Sequence, residues 1–221
     1  MQGVWGAARH PSGGCGGQRP PASRQQWFDS GAAPALEKVI EGRDPDATTL
    51  NRPNRRLQPI RAGACGGFQH VLIEYARNEL GLIDADHAES NPETSLPLMV
   101  ALECALVEAT GTIVLQLGSR VATLYNQSGV VEAYHCRFGL NRHYEALLAD
   151  TDLRVSGRDS GGEVRIIELE SHPFYVATLF QPERSAFKGH AHPLITAYVG
   201  AALAWRAGTL ESAGAAVWNA G

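Results

Sequence analysis

The stretch PIRAGACGGFQHVLIEYA, residues 59–76, places a cysteine in a setting that suits nucleophilic chemistry. A short β-type segment runs into Cys65, two glycines follow, and a helical pattern begins after them. This layout is typical of a nucleophile elbow, a sharp strand-to-helix turn in which glycines relieve crowding. The positive end of a helix lowers a thiol pKa, and the N–H of Gly66 can meet a developing oxyanion. The alternative interpretation is a small buried cysteine beside a glycine pair that starts a helix.

A second stretch ends in polar residues where a buried strand would end. The apolar run from Tyr175 to Phe180 stops at Gln181, Pro182 and Glu183. Residues two apart in a strand point to the same face, so Gln181 and Glu183 are expected to face the cysteine unless Pro182 turns the chain. A side-chain amide has no proton-accepting nitrogen at neutral pH. Gln181 can therefore make hydrogen bonds there but cannot act as a general base.

Two helices are predicted around these residues. The apolar spacing of residues 67–81 predicts a helix that follows the cysteine directly, with Gly81 as its C-cap. Residues 192–208 predict a second helix, with Pro193 in its first turn and Gly208 past its end. The apolar stripe of this second helix consists of Leu194, Ile195, Tyr198, Val199, Ala202 and Leu203.

Strands are predicted between the two helices. Residues 98–119 indicate two β-type runs around a turn at Thr110-Gly111. Residues 161–180 indicate two strands joined near His172-Pro173. Strands mixed with amphipathic helices favour a layered α/β fold.

Composition limits the class of protein. The chain has 221 residues, 44% hydrophobic and 19% charged, with a formal net charge of −4, which suits one α/β domain and gives no nucleic-acid footprint. No segment approaches the roughly 18 apolar residues of a membrane span, and the N-terminus lacks a signal pattern. Four cysteines without CxxC spacing predict free thiols in a cytoplasmic protein. We expect neither a cofactor nor a metal ion.

The chain divides into unlike parts. Residues 1–60 contain 7 of the 12 prolines, with 8 basic and 5 acidic residues, whereas residues 61–221 contain 11 basic and 18 acidic residues. We expect residues 1–58 to be a divergent Pro-, Gly- and Arg-rich segment without stable order, residues 59–208 to form the domain, and residues 209–221 to be a tail. The first segment is either a divergent linker or the product of an alternative reading frame.

Four segments resemble, in order, the glutamine amidotransferase domain of CTP synthase, a class I amidotransferase. They are residues 63–90, 111–125, 131–141 and 164–183. The resemblance implies an α/β, class I glutamine amidotransferase-like (flavodoxin-like) layered sheet with helices on both faces. The N-terminal strands of that fold have no counterpart in this sequence.

The resemblance also implies a mechanism. In the family, a thiolate attacks the side-chain amide of glutamine, ammonia leaves, and water hydrolyses the thioester. The Cys and Glu of the family's Cys-His-Glu triad map to Cys65 and Glu183, and Gln181 stands in the place of the His. Substrate-binding positions map to Gly66, Gln69, Glu89 and Arg137. Glu89 suits an α-ammonium group and Arg137 an α-carboxylate, although each alone is better explained as a surface residue.

Gln181 makes the expected activity low. Loss of a positioned base costs about 10²–10⁴ in rate, so we expect weak or absent hydrolysis of L-glutamine or a related amide. His190 and His192 are candidates for a replacement base or a metal site, but solvated loop positions are the favoured interpretation.

Three further interpretations stay open. One is a catalytically silent homologue that binds a small ligand or a protein partner. Another is an ammonia-supplying subunit for CTP synthesis with a separate synthase-type partner protein, because no P-loop GxxxxGK[ST] occurs in the sequence. The last is a non-functional gene product.

Overall fold

A computed structural model describes residues 60–208, so the expectations for residues 1–58 and 209–221 lie outside the described residues. The strands are β1 (Arg61–Ala64), β2 (Ala85–His87), β3 (Leu96–Leu115), β4 (Gly129–Leu140), β5 (Leu153–Asp159), β6 (Val164–Leu169) and β7 (Tyr175–Thr178). The α-helices are α1 (Gly66–Asn78), α2 (Arg120–Tyr125) and α3 (Pro193–Arg206). Two 3₁₀ helices span Arg142–Leu148 and Pro182–Lys188.

The strands form one mixed sheet. Its order is β1-β7-β6-β5-β3-β2, and β4 pairs with β3 outside this path. The pairs β1–β7 and β2–β3 are parallel, and the other pairs are antiparallel. The predicted layered α/β fold is confirmed in the form of a mixed sheet with helices. Among the described residues, no helix is both long and apolar enough to cross a membrane.

The predicted first helix is confirmed as α1, which begins directly after Cys65. Phe68 and Leu72 on one side of α1 are 0% and 1% exposed, and they fix this helix against the core. The helix ends at Asn78, before the predicted C-cap, and the N–H groups of the following leucines bond back to carbonyls of its last turn. Gly81 has φ 69°, the left-handed conformation that glycine adopts without strain, and it turns the chain away from the helix end.

The predicted turn within residues 98–119 is wrong. Those residues contain a single long strand, β3, and Gly111 pairs with Glu132 of β4. The irregularities of this pair lie earlier, between Ala101 and Leu106 and around Glu108, which has φ 48°. Gly111 has a packing role, because a Cβ atom there would lie 3.3 Å from the ring of Tyr134.

The last helix is confirmed, but most of its apolar stripe is not buried. Four members of that stripe are 38–61% exposed, namely Ile195, Tyr198, Val199 and Leu203. The residues of α3 that are buried are Leu194 and Ala201. Because α3 is apolar around most of its circumference, its sequence does not determine which side meets the sheet.

The strand pair predicted on either side of His172-Pro173 is confirmed as β6 and β7. Every residue of both strands is buried. The chain continues beyond β7 through Leu179 and Phe180, both 0% exposed, before it reaches Gln181. This buried pair carries Gln181 to the end of β1, where Cys65 lies.

Candidate active site

Cys65 occupies the turn between β1 and α1. Its N–H donates to the carbonyl of Thr178 at 2.9 Å, which continues the β1–β7 pairing, and its own carbonyl accepts the N–H of Gln69 at 3.2 Å. Its backbone angles are φ 49° and ψ −107°, a conformation that non-glycine residues rarely adopt. Such a conformation costs on the order of 1–3 kcal/mol and persists where the surroundings determine it, most often at functional sites.

The glycine that this turn needs for space is Gly63. A Cβ atom on Gly63 would lie 3.0 Å from the carbonyl carbon of Gly67, because β1 passes close under the first turn of α1. A Cβ atom on Gly66 or Gly67 would meet no atom within 4 Å. The expectation that the glycine pair after Cys65 relieves crowding is therefore wrong, and the close approach involves β1 instead.

The sulfur of Cys65 is bonded to that of Cys136. The two Cα atoms lie 6.3 Å apart, and 71 positions separate the residues in the sequence. The expectation of free thiols is therefore wrong for this pair, and it is wrong for Cys104, which is disulfide-bonded as well. Cys136 alternates on β4 with the exposed His135, so its side chain enters the core beneath Cys65.

The side chains of Gln181 and Cys65 both lie near the backbone carbonyl oxygen of His135. The Nε2 of Gln181 donates to the carbonyl oxygen of His135 at 3.3 Å, and the Sγ of Cys65 lies 3.8 Å from the same oxygen. The backbone N–H of Gln181 donates to the carbonyl of Ala133, also on β4. The Oε1 of Gln181 is buried and has no hydrogen-bond partner within residues 60–208. The structure thus brings Cys65, Cys136 and Gln181 together around one strand.

Glu183 makes no hydrogen bond to any member of this group. Pro182 begins a 3₁₀ helix, which turns the chain in the way the sequence allowed as an exception. The side chain of Glu183 makes no hydrogen bond or ion pair within residues 60–208, and it borders a groove lined by Gly63 of β1 and Tyr198 of α3. In this conformation, Glu183 does not orient Gln181.

Gln69 is a structural connector rather than an exposed side chain. It is 8% exposed, its Nε2 donates to the carbonyl of Phe138 at 2.9 Å, and its Oε1 lies 3.2 Å from Nε2 of His87. The rings of His87 and Phe138 have centroids 4.8 Å apart. This Gln69–His87–Phe138 cluster joins α1, β2 and β4, and the sequence pattern did not indicate His87 or Phe138.

The remaining two predicted ligand residues flank this cluster. The N–H of Glu89 donates to Nδ1 of His87 at 3.1 Å, while the side chain of Glu89 is exposed. Arg137 immediately precedes Phe138, is exposed, and its side chain has no partner within residues 60–208. The cluster therefore anchors the segments that carry both charged side chains.

The protonation state of His87 fits its contacts. Burial lowers the pKa of His87 below its usual value of 6.5, although the nearby Glu89 opposes that effect. A neutral ring accepts the Glu89 N–H at Nδ1 and donates from Nε2 to Gln69. The neutral form is thus the one that holds the cluster together.

No histidine ring within residues 60–208 hydrogen-bonds to Cys65. The ring of His135 lies on the outer face of β4, where Nδ1 is 2.8 Å from Oε1 of Glu108, and Glu108 also pairs with Arg184. These hydrogen bonds, first that from His135, hold the pKa of Glu108 below its usual value. This exposed ion cluster beside Gln181 was not indicated by the sequence.

The expectation for His192 is also wrong. The favoured interpretation was a solvated loop residue, but His192 is 5% exposed and is the N-cap of α3, accepting the N–H of Leu194 at Nδ1. Its Nε2 lies 3.1 Å from both Oε1 of Glu132 and the hydroxyl of Tyr125. Within the described residues, no group of three or more metal-ligating side chains occurs.

The sequence of this chain is similar to those of known CTP synthases. It is 38% identical over 156 residues to the CTP synthase of Leifsonia xyli subsp. xyli, which is 64% of this chain and 28% of that protein. It is 33% identical over 199 residues to the CTP synthase of Bifidobacterium longum, which is 78% of this chain and 36% of that protein. The chain thus spans about a third of the length of the curated relatives it matches. No family model matches it.

A solved structure shows the same fold. The glutaminase domain of Trypanosoma brucei CTPS, solved with bound acivicin, superposes with a TM-score of 0.61 at 23% identity, covering 65% of this chain and 60% of that chain. The sequence relatives and the fold neighbour are all named CTP synthases, and the fold neighbour is the glutaminase domain of that enzyme. The chain is therefore a relative of CTP synthases with the fold of their glutaminase domain, a class I glutamine amidotransferase-like protein.

Proposed function

We propose that this chain is a CTP-synthase-type glutamine amidotransferase-like protein that binds L-glutamine or a related amide and hydrolyses it weakly or not at all. The observation that carries the proposal is Gln181 beside Cys65, both at the carbonyl of His135. The position next to the nucleophile is filled by an amide that can make hydrogen bonds but cannot transfer a proton.

The chemistry left to Cys65 is incomplete. In its reduced form it lies at the N-terminus of α1, whose positive end favours the thiolate and whose first-turn N–H groups, Gly66 among them, lack intrahelical acceptors. A thiolate that attacked an amide carbon there would generate an oxyanion near those donors. The nitrogen that leaves as ammonia must gain a proton, and Gln181 has no acidic group to supply it. Attack therefore reverses more readily than it proceeds.

Ligand binding needs no proton transfer. The exposed Glu89 and Arg137, held by the Gln69–His87–Phe138 cluster, suit an α-ammonium and an α-carboxylate respectively. Weak hydrolysis and retained binding are therefore compatible. The Trypanosoma brucei domain binds acivicin, which supplies a probe for the same pocket in this chain.

The decisive experiment measures ammonia release from glutamine under reducing conditions, which open the Cys65–Cys136 bond. We expect little release by the wild type and an increase of more than tenfold in Gln181→His, since a positioned base contributes about 10²–10⁴. The double variant Gln181→His with Cys65→Ala is the control for background hydrolysis. Robust wild-type turnover that disappears in Cys65→Ala would contradict the proposal.

A silent ligand-binding homologue is the second candidate. The 3₁₀ turn at Pro182, in which Glu183 makes no hydrogen bond to Gln181, favours it, because restoring the histidine then leaves the base without an orienting carboxylate. Acivicin labelling of Cys65 in a Gln181→His variant that releases no ammonia would select this candidate.

A synthase-type partner and a cytoplasmic location complete the proposal. The shared segment is 28% of the Leifsonia xyli CTP synthase, and a synthase-type partner protein is our proposal for the remaining reaction if ammonia is delivered to CTP synthesis. Co-purification of the tagged chain with a synthase from the cytoplasmic fraction of its host tests both points. Recovery of the chain without such a partner would contradict the proposed partner and favour a stand-alone protein.

A further inference from the structure

We propose that Cys65 and Cys136 form a reversible redox switch, in which oxidation joins the two thiols and withdraws Cys65 from any substrate. The switch itself stands on the geometry of the pair. Only its consequence, the loss of a reactive thiol toward a glutamine-like ligand, rests on the proposed function.

The backbone holds the two cysteines at bonding separation. Their Cα atoms are 6.3 Å apart, within the range of about 4.4–6.8 Å that disulfides span. Cys65 is fixed by its N–H bond to Thr178, and Cys136 lies in the interior of β4. Because both backbones belong to the same sheet, the bond can open and close without a rearrangement of the fold.

The two thiols differ in the way that a reactive and a resolving cysteine differ. Cys65 is half-buried at the N-terminus of α1 and can be reached from solvent. Cys136 is 2% exposed, and its Sγ lies 3.0 Å from the carbonyl oxygen of Leu179. An oxidant from solvent therefore reacts with Cys65 first. The buried Cys136 then reacts with the oxidised Cys65 to form the disulfide.

The reaction needs an oxidant, and hydrogen peroxide is the chemical class we name. The Cys65 thiolate attacks one peroxide oxygen, the O–O bond breaks, and the departing hydroxide takes a proton to become water. The sulfur of Cys136 then attacks the sulfenic sulfur of Cys65, and the hydroxyl leaves as water with the Cys136 proton. Two thiols and one peroxide thus give one disulfide and two waters, and a dithiol reductant reverses the change.

The test uses the full chain, fully reduced and then treated with one equivalent of hydrogen peroxide. Peptide mapping without reductant should recover a Cys65–Cys136 linked peptide. Labelling of Cys65 by iodoacetamide should fall at least about tenfold and return after dithiothreitol. In Cys136→Ala, the linked peptide should be absent and Cys65 should instead react with dimedone, which traps sulfenic acids.

Cys104→Ser is the matched control, since it removes a cysteine outside this pair and should leave the Cys65–Cys136 linked peptide unchanged. Acivicin provides the second readout: it should label Cys65 in the reduced chain and not in the oxidised chain. If the linked peptide forms but acivicin labels neither form, the switch stands and the proposed ligand is wrong. Absence of the linked peptide in the wild type, or labelling of wild-type Cys65 that stays unchanged after peroxide, would overturn the switch.

Discussion

Oxidation of the Cys65–Cys136 pair should stabilise the domain measurably. The bond closes a loop of 71 positions, and the chain-entropy relation assigns about 4 kcal/mol to a loop of that length at 25 °C. Most of this gain arises in the unfolded state, where the cross-link removes conformations. A domain of this size gains roughly 2–4 °C in Tm per kcal/mol, so the oxidised form should melt about 10 °C higher than the reduced form.

The assay compares urea unfolding of oxidised and reduced protein, for the wild type and for Cys136→Ala. Reduction alone also changes any other disulfide, and Cys104 is disulfide-bonded as well. For each protein, the increase in the free energy of unfolding on oxidation is measured. The increase in the wild type minus the increase in Cys136→Ala isolates the Cys65–Cys136 contribution, because the cavity left by Cys136→Ala is the same in both redox forms. We expect this difference to be about 2–4 kcal/mol. Equal oxidation gains in both proteins would refute the reasoning.

Two further predictions concern stability. His87 has a pKa below 6.5 in the folded state. The unfolded chain therefore binds more protons than the folded chain as the pH falls below 7. For this reason the free energy of unfolding should fall as pH drops from 7 toward 5. His87→Asn should flatten this part of the urea-unfolding profile. Gly63→Ala should destabilise the domain by about 1–3 kcal/mol, because its Cβ would lie 3.0 Å from the Gly67 backbone.

Each has a control within the chain. His190→Asn changes an exposed histidine that is not among the groups acting on the pKa of His87, and it serves as the control for the pH profile. Gly66→Ala introduces a methyl group with no atom within 4 Å, so its free energy of unfolding should stay within about 1 kcal/mol of the wild type. A pH profile unchanged by His87→Asn, or a stable Gly63→Ala, would contradict the respective prediction.

The sequence by itself determined the elements next to the candidate site. The helix after Cys65 and the strand pair before Gln181 have local signals, because a 3.6-residue apolar period or a short buried run flanked by turn residues depends only on neighbouring positions. The sequence also identified the family, since four segments match it in order. That Gln181 cannot act as a general base is likewise visible without a structure, because it follows from residue type alone.

Other features were decided only by the tertiary structure. The bond between Cys65 and Cys136 spans 71 positions and depends on which strands meet, which no local pattern contains. The Gln69–His87–Phe138 cluster joins α1, β2 and β4, so it exists only once those elements pack together. The buried side of α3 was likewise set by where the sheet lies, because the helix is apolar on most sides.

The position of Glu183 lies between these two cases. The sequence named Pro182 as the residue that decides whether Glu183 faces Cys65, because proline fixes φ and cannot donate a hydrogen bond to a neighbouring strand. Whether the chain continues as a strand or turns depends on what lies beyond β7. There the structure places a 3₁₀ helix and a groove beside α3, and the extended pairing of β7 ends before Glu183. Local chemistry defined the alternatives at this residue, and long-range packing selected one of them.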